Sequence, residues 1–376
     1  MKSLSELQKY KEISLIDLTC QYKNIQTEIE DVALKVLSSG RYILDENVDA
    51  FEEELAAYLG CKYVISCANG TDAIVLALRA LDIKEDDEVI TVSNSFFATS
   101  EAVALCSAKP VFVDIQETDF NINPNQIEKA ITKKTRAILP VHLYGQPCDI
   151  DKVLEIAKKN GLYVIEDCAQ ALGAKLNNKP VGTFGNAGTV SFFPTKNLGA
   201  FGDGGAVLTN DESIAKKIKQ LRVHGSQNRY EHNYIGLNSR LDEIQAAILR
   251  IKLKYLDKWN KDRQHAAKYY NQLLKDVNGV IVPAVKPGCY HIFHQYSVRL
   301  KNRDYIYTKL QEMGIQTSIY YPIPIHLQKA FSYLDHKNGL LPVTEKVCSE
   351  VLSLPIYPEI TKNIQECVIG KIKKLL

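Results

Sequence analysis

The stretch Lys62-Tyr63-Val64-Ile65-Ser66-Cys67-Ala68-Asn69-Gly70-Thr71-Asp72-Ala73-Ile74-Val75-Leu76-Ala77-Leu78 sets the reading of the whole chain. A β-rich run over 62–66 meets a glycine turn, and an apolar run with helical character begins at once. Strand, turn and helix in that order open a crossover unit. The alternation continues to about residue 210. Further strands are expected over 88–92, 110–114, 136–141, 162–166, 189–193 and 206–209, and helices over 71–81, 100–106, 125–131 and 150–160. Strands alternating with helices imply a largely parallel sheet flanked by helices. Ligands of such sheets bind beyond the carboxyl ends of the strands.

Past residue 240 the pattern changes. Ile244, Ala247, Ile248, Ile251 and Tyr255 recur at helical spacing and predict one long helix from 240 to about 277. A break follows at Pro283-Ala284-Val285-Lys286-Pro287-Gly288, then a strand over 295–300 and helices over 305–313 and 344–352. The expected fold class is α/β. A large domain over residues 1–250 carries a mostly parallel central sheet, and a smaller α+β domain over 251–376 starts within the long helix. The N-terminal segment falls inside the first range but is expected to pack with the smaller unit.

The chain has 376 residues, with 46 basic and 44 acidic side chains and a net charge of +2. Nothing in that balance points to nucleic acid or an anionic membrane, so an anionic ligand must be held by local groups. Nine cysteines, scattered from Cys20 to Cys367 without a Cys-x-x-Cys pair, suit reduced thiols. Met1-Lys2-Ser3-Leu4-Ser5-Glu6 lacks the apolar core of a leader peptide. No apolar stretch approaches the ~20 residues that span a bilayer. These features predict a soluble, cytoplasmic protein.

Four pieces can carry chemistry. In Ser191-Phe192-Phe193-Pro194-Thr195-Lys196-Asn197-Leu198-Gly199 a lysine leaves an apolar strand. In a dry cleft its amine would lose part of its basicity and could attack carbonyl carbon; otherwise it is a solvated loop lysine. In Tyr163-Val164-Ile165-Glu166-Asp167-Cys168-Ala169-Gln170 an apolar strand runs into two acids at its carboxyl end. A carboxylate there could face a cationic ligand atom such as a pyridine nitrogen, bind a metal or cap a helix. Gly70 and Thr71 open a helix whose N–H groups suit a phosphate, with Ser191 as a further donor, while Asp72 could simply be the cap. In Ser93-Asn94-Ser95-Phe96-Phe97-Ala98-Thr99, Phe97 reads as a core residue, and Phe96 stays open between the core and stacking on a planar ligand.

Two other patterns are set aside. Gly199, Gly202, Gly204 and Gly205 do not make a dinucleotide fingerprint and serve tight turns around Lys196 instead. His291 and His294 are three apart, but they stand among Tyr290, Phe293 and Tyr296 with no carboxylate or cysteine cluster nearby. Packing or substrate contact is the reading, and no metal is expected.

Taken together, these pieces resemble the fold-type-I pyridoxal-phosphate enzymes, and more closely the DegT/StrS-type sugar-nucleotide aminotransferases. The likeness runs from Ile16-Asp17-Leu18 and Gly40-Arg41-Tyr42-Ile43-Leu44 through the segments above. It continues to Leu237-Asn238-Ser239-Arg240-Leu241-Asp242-Glu243-Ile244-Gln245-Ala246 and Tyr321-Pro322-Ile323-Pro324-Ile325-His326-Leu327-Gln328. The resemblance implies pyridoxal 5'-phosphate as cofactor, attached to Lys196 and paired through its ring nitrogen with Asp167. It places Gln170 near the phenolic oxygen, Gly70, Thr71 and Ser191 on the phosphate, and Phe96 on the ring. Asn238 would reach the phosphate from a neighbouring subunit, so a homodimer with shared sites is expected. Arg240 and His326 are candidates for substrate contact, with a surface ion pair and a packed loop residue as the plain alternatives.

The same resemblance implies amino transfer from L-glutamate to a nucleotide-linked keto-sugar. The segment from Lys196 to Gly205 is most similar to members acting at carbon 3 of a dTDP-3-keto-6-deoxyhexose. A 4-keto sugar, a UDP- or GDP-linked sugar, other pyridoxal-phosphate chemistry and a non-catalytic regulatory protein are the competing readings. The dehydratase branch of the family has histidine in place of the lysine, and Lys196 argues against it.

Overall fold

The computed structural model describes residues 12–376, and the leader-peptide reading of residues 1–6 lies outside them. Helices α1 (Leu18–Asn24), α2 (Gln26–Ser39) and α3 (Glu46–Leu59) come first. A seven-stranded sheet follows: β1 (Tyr63–Cys67), β2 (Glu88–Val92), β3 (Lys109–Val113), β4 (Thr135–Ile138), β5 (Tyr163–Asp167), β6 (Ala187–Ser191) and β7 (Gly205–Thr209). The spatial order is β1-β7-β6-β5-β4-β2-β3. Neighbours from β3 across to β6 run parallel, and β7 is antiparallel to both β1 and β6. The sheet is therefore mostly parallel, as the alternation of strands and helices predicts.

Helices α4 (Gly70–Ala80), α5 (Ala98–Leu105), α6 (Pro124–Ala130), α7 (Ile150–Asn160) and α8 (Glu212–Leu221) are the crossovers and flanks. Successive strand residues enter different cores because their side chains alternate across the sheet. Ile65, Ile165 and Val207 pack with Ile74, Leu78, Val103 and Ile218 on one face. Val64, Val190 and Leu208 pack with Phe51, Leu55 and Leu249 on the other. Val164 and Ile90 join Ile127 and Val153 further along that second side. Burying one such side chain contributes roughly 1.5–3 kcal/mol, which is why a strand with both faces covered reads as a continuous apolar run.

The expected long helix is two: α9 (Glu243–Leu253) and α10 (Leu256–Leu274). At the junction the N–H groups of Lys254 and Tyr255 reach back to Ile251 and Lys252, three residues rather than four. This tight turn leaves Ala246 and Leu249 of α9 in the large core, while Ala266, Ala267, Tyr270 and Leu274 of α10 enter another. That other core packs against a small antiparallel sheet of β8 (Val280–Ile281), β9 (Tyr296–Leu300) and β10 (Val351–Leu354). Helices α11 (Arg303–Glu312), α12 (Pro342–Glu350) and α13 (Lys362–Leu375) complete it. Ile13 lies in this core and bridges to Ile315. The helix expected over 344–352 stops at Glu350, since Val351 and Leu352 pair with β9 instead. Among the described residues no helix is long and apolar enough to cross a membrane, and all nine cysteines are free thiols.

Candidate active site

Alternation along β5 sends Glu166 and Asp167 to different surroundings. Glu166 is fully buried. Its Oε1 accepts the N–H groups of Phe184 and Gly185, both at 2.8 Å, and its Oε2 accepts that of Gly182 at 2.8 Å. His142 Nε2 lies 3.0 Å from Oε2, and its Nδ1 accepts the Cys148 N–H at 3.0 Å. The network therefore places the ring proton on Nε2. Burial opposes the Glu166 charge, but the hydrogen bonds from His142, Gly185 and Gly182 outweigh it and hold the carboxyl below its ordinary range. His142, Glu166 and Cys168 offer ligand atoms within 4.8 Å of one another. The imidazole and carboxylate of that trio are already engaged by the protein, so it closes on itself as a structural knot.

Asp167 ends the strand and is 5% exposed. Oδ1 accepts the Ala169 N–H at 3.0 Å, and Oδ2 accepts the Thr99 hydroxyl at 2.8 Å. Thr99 Oγ1 also lies 2.8 Å from Ser95 Oγ, one turn away. Two donors thus fix the direction of this carboxyl group at the strand ends. Thr99 is a cleft residue that the sequence reading did not single out; its trace is the i, i+4 spacing from Ser95 at the start of α5.

Lys196 sits on the loop between β6 and β7, half-buried in the same cleft. Burial lowers its amine from 10.5 to about 8, with Asp167 partly opposing the shift. This is the desolvated lysine that the strand-end position allows. His294 lies near enough to feel it: burial, then Lys196 and Arg263, push that imidazole far down. His294 Nδ1 is 3.1 Å from Asn197 Oδ1. His291 is buried, stacks on Phe293 at 3.9 Å between ring centroids, and is lowered to about 3 by burial. His291 is thus packed, while His294 stands beside the Lys196 loop. We expect capture of pyridoxal phosphate by cofactor-stripped protein to accelerate with pH around a midpoint near 8, because the neutral amine is the nucleophile and forms above its pKa. Stopped-flow absorbance between pH 6 and 10 checks this; a midpoint near 10.5 would mean that the amine is solvated.

Gly70 opens α4 beside the end of β6. A Cβ on Gly70 would lie 2.7 Å from the Cβ of Ser191, so glycine lets helix start and strand end abut. Gly70, Thr71 and the Ser191 hydroxyl thereby share one corner. The cap is Asn69, which accepts the Asp72 N–H at 2.8 Å, and not Asp72 itself. The first N–H groups of a helix have no partner within it, and its positive end favours an anion there.

Gln170 joins the cleft through two bonds. Its Oε1 accepts the Tyr144 N–H at 2.9 Å, and its Nε2 donates to the Tyr321 hydroxyl at 3.0 Å. Tyr321 is the second residue without an assigned role from sequence, although its segment carries part of the family likeness. Phe96 is 58% exposed with its ring 6.1 Å from that of Tyr321, so the core reading fails for it. Phe97 packs on Phe331 at 5.4 Å, as a core residue does.

The other candidates lie differently. Asn238 is exposed; its neighbour Ser239 is buried and accepts the Ala68 N–H at 3.1 Å beside the Gly70 corner. Arg240 is half-buried. His326 is 2% exposed, with Nδ1 2.7 Å from Ser93 Oγ and Nε2 3.2 Å from Glu345 Oε1. Both ring nitrogens have partners within the chain, the arrangement of a packed loop residue.

The set fits a planar cationic ring bearing a phosphate: a fixed carboxylate, a desolvated amine, an anion corner at a helix start and an exposed aromatic face. The chain matches the model of the DegT/DnrJ/EryC1/StrS aminotransferase family over residues 23–373. It is 49% identical over 362 residues to a pleiotropic regulatory protein of Geobacillus stearothermophilus, covering 96% of this chain and 97% of that one. It is 46% identical over 362 residues to dTDP-3-amino-3,6-dideoxy-alpha-D-galactopyranose transaminase of Aneurinibacillus thermoaerophilus, covering 96% and 99%. Among solved structures, that of S. venezuelae DesV in complex with a ketimine intermediate superposes with a TM-score of 0.95 at 40% identity, covering 97% of this chain and 98% of that one.

Proposed function

The chain belongs to the DegT/DnrJ/EryC1/StrS aminotransferase family, whose members are pyridoxal-phosphate-dependent, and from that premise we propose that it moves an amino group from L-glutamate to carbon 3 of a dTDP-linked 3-keto-6-deoxyhexose. That it is a sugar-nucleotide aminotransferase follows from the family and from relatives named as sugar transaminases. The carbon position, the nucleotide and the donor are the finer reading. What supports the finer reading is 46% identity to a dTDP-3-amino-sugar transaminase, while the lysine and carboxylate at the β5–β6 strand ends support amino transfer itself.

Pyridoxal phosphate supplies an electrophilic carbon for amines and a ring that accepts the electrons of a broken C–H bond. Lys196 would hold the cofactor, give it up to the incoming amine, and then carry a proton to and from the reacting carbon. Asp167, braced by Thr99 and the Ala169 N–H, would face the ring nitrogen and keep it protonated. Gly70, Thr71 and Ser191 would bind the phosphate, Gln170 would stand by the phenolic oxygen and Phe96 would cover the ring. Arg240 remains our candidate for the sugar diphosphate, since a net charge of +2 gives no general attraction for it. A purely regulatory role, which the name of the Geobacillus relative raises, would not require an amine, a carboxylate and an anion corner all intact. The nine free thiols support a cytoplasmic setting.

The test mixes holoenzyme and L-glutamate with dTDP-, UDP- and GDP-linked 3-keto and 4-keto sugars, read by mass spectrometry. We expect amination of the dTDP-3-keto sugar. Turnover of 4-keto sugars alone would overturn the regiochemistry, and preference for UDP or GDP would overturn the nucleotide. Exchange confined to free amino and keto acids would overturn the substrate class.

We also propose a homodimer in which Asn238 completes the partner's phosphate site, supported by its exposed position next to the buried Ser239 anchor. Asn238→Ala should weaken cofactor binding about ten- to hundredfold, the worth of one hydrogen bond to a charged group. At limiting cofactor, mixing that variant with Lys196→Ala should restore activity. One site of the mixed dimer then holds both defects and the other neither. If subunit exchange is demonstrated and no activity returns, the shared site is wrong.

A further inference from the structure

Lys252 is 1% exposed near the end of α9. Its Nζ donates to the Gly199 carbonyl. The amine passes the rings of Phe201 and Trp259, 5.1 and 6.0 Å from their centroids. Among the described residues it makes no ion pair with an acid. A buried amine without a carboxylate is costly, and methionine or leucine would fill the same space at less cost if packing were the whole task.

What the amine adds is a donor at one place on the Lys196 loop. That loop folds tightly: the Lys196 N–H reaches the Phe193 carbonyl at 2.8 Å and the Ala200 N–H reaches that of Phe192 at 2.7 Å. A Cβ on Gly199 would lie 2.3 Å from the Pro194 carbonyl oxygen. Three alternate residues of the loop are held from outside by α9 and α10. Asn197 Nδ2 donates to Asn260 Oδ1 at 2.6 Å. The Gly199 carbonyl takes Lys252. The Phe201 N–H donates to Gln245 Oε1 at 2.8 Å. Gln245 and Lys252 are about two turns apart on one face of α9, and Asn260 reaches the same loop from α10 beyond the tight turn at 254–255.

We infer that Lys252 is a positioning residue for Lys196, the middle point of a three-point clamp through which α9 and α10 fix the direction of the catalytic amine. The inference rests on the aminotransferase reading for its rate measurement, while a second readout stands apart from that reading. Burial also lowers the Lys252 amine to about 8, which accords with a donor kept away from water.

The test is Lys252→Met, which keeps length and apolar bulk and removes the donor. We expect kcat to fall about ten- to hundredfold with KM for both substrates within about twofold, because a small misdirection of a reacting group affects turnover rather than binding. Capture of pyridoxal phosphate by Lys196 in cofactor-stripped protein, followed by borohydride trapping and peptide mass, should slow by a similar factor. The thermal midpoint should hold or rise. Unchanged kcat and capture would overturn the inference, as would losses that merely track a lower folded fraction. If no nucleotide sugar is turned over even by the unaltered enzyme, the function proposal fails, and the capture rate still decides the clamp. Should Lys252→Met not fold, Gln245→Leu removes the neighbouring tether at a half-buried site. It should slow capture about fivefold, and an unchanged rate there overturns the clamp.

Discussion

Lys196→Ala should abolish amino transfer, with kcat reduced by about four orders of magnitude or more, while the protein remains folded. Two losses coincide. The cofactor loses its point of attachment, and the reaction loses the base that moves a proton at the donor's α-carbon, a contribution typically worth 10²–10⁴-fold alone. The fold should hold, because among the described residues the amine makes no hydrogen bond or ion pair, and burial already disfavours its charge. Borohydride reduction of unaltered holoenzyme should fix the cofactor mass on the peptide containing Lys196 and leave Lys252 unmodified, since Lys252 is enclosed. Recovery of the modification on another lysine, or turnover within tenfold of normal in Lys196→Ala, would remove Lys196 from its role. Added small amines should restore a measurable fraction of the lost rate if proton transfer is part of what is missing.

Asp167→Asn should lower kcat by about 10²–10³-fold and change stability little. The amide keeps the size of the carboxylate; its oxygen can still accept the Ala169 N–H, and its NH2 can donate to the Thr99 hydroxyl, which turns to accept. What it lacks is the negative charge, and preorganised charge in a dry site is where electrostatic stabilisation is largest. The effect belongs in kcat, since on the proposed reading cofactor affinity would be spread over the Gly70 corner, Phe96 and Gln170 as well. Steady-state kinetics at saturating cofactor, with cofactor content measured by absorbance, separates the two. Near-normal turnover with cofactor fully bound would show that Asp167 is not the ring's partner.

The large sheet was legible because its strands are short apolar runs bounded by turn residues, and sheet burial on both faces leaves that pattern in the chain. The break between α9 and α10 was not: the apolar spacing from Ile244 to Tyr255 continues through it, and the reason for the turn is a second core distant in sequence. The end of α12 was hidden in the same way, because Val351 and Leu352 satisfy a helical period but pair with β9. In the site, Lys196 and Asp167 were legible as strand-end residues. The surroundings of His326 were not legible, because its ring partners Ser93 and Glu345 lie far away in sequence. Thr99, Tyr321 and Lys252 were not legible as site residues for the complementary reason: each meets its partner, Asp167, Gln170 or Gly199, only through folding.

The two adjacent acids of β5 bear on how this scaffold can change. Glu166 fastens three backbone N–H groups and His142, while Asp167 serves the cleft. Because side chains alternate, a single-residue insertion or deletion within β5 would exchange their directions and not simply displace them. The cleft would then receive a carboxylate with no Thr99 brace, and the interior would receive one without its ring of donors, so both folding and chemistry would fail in the same event. Length variation in this protein should therefore be confined to the loops at either end of the strand, and libraries that vary its substrate range should hold β5 at constant length.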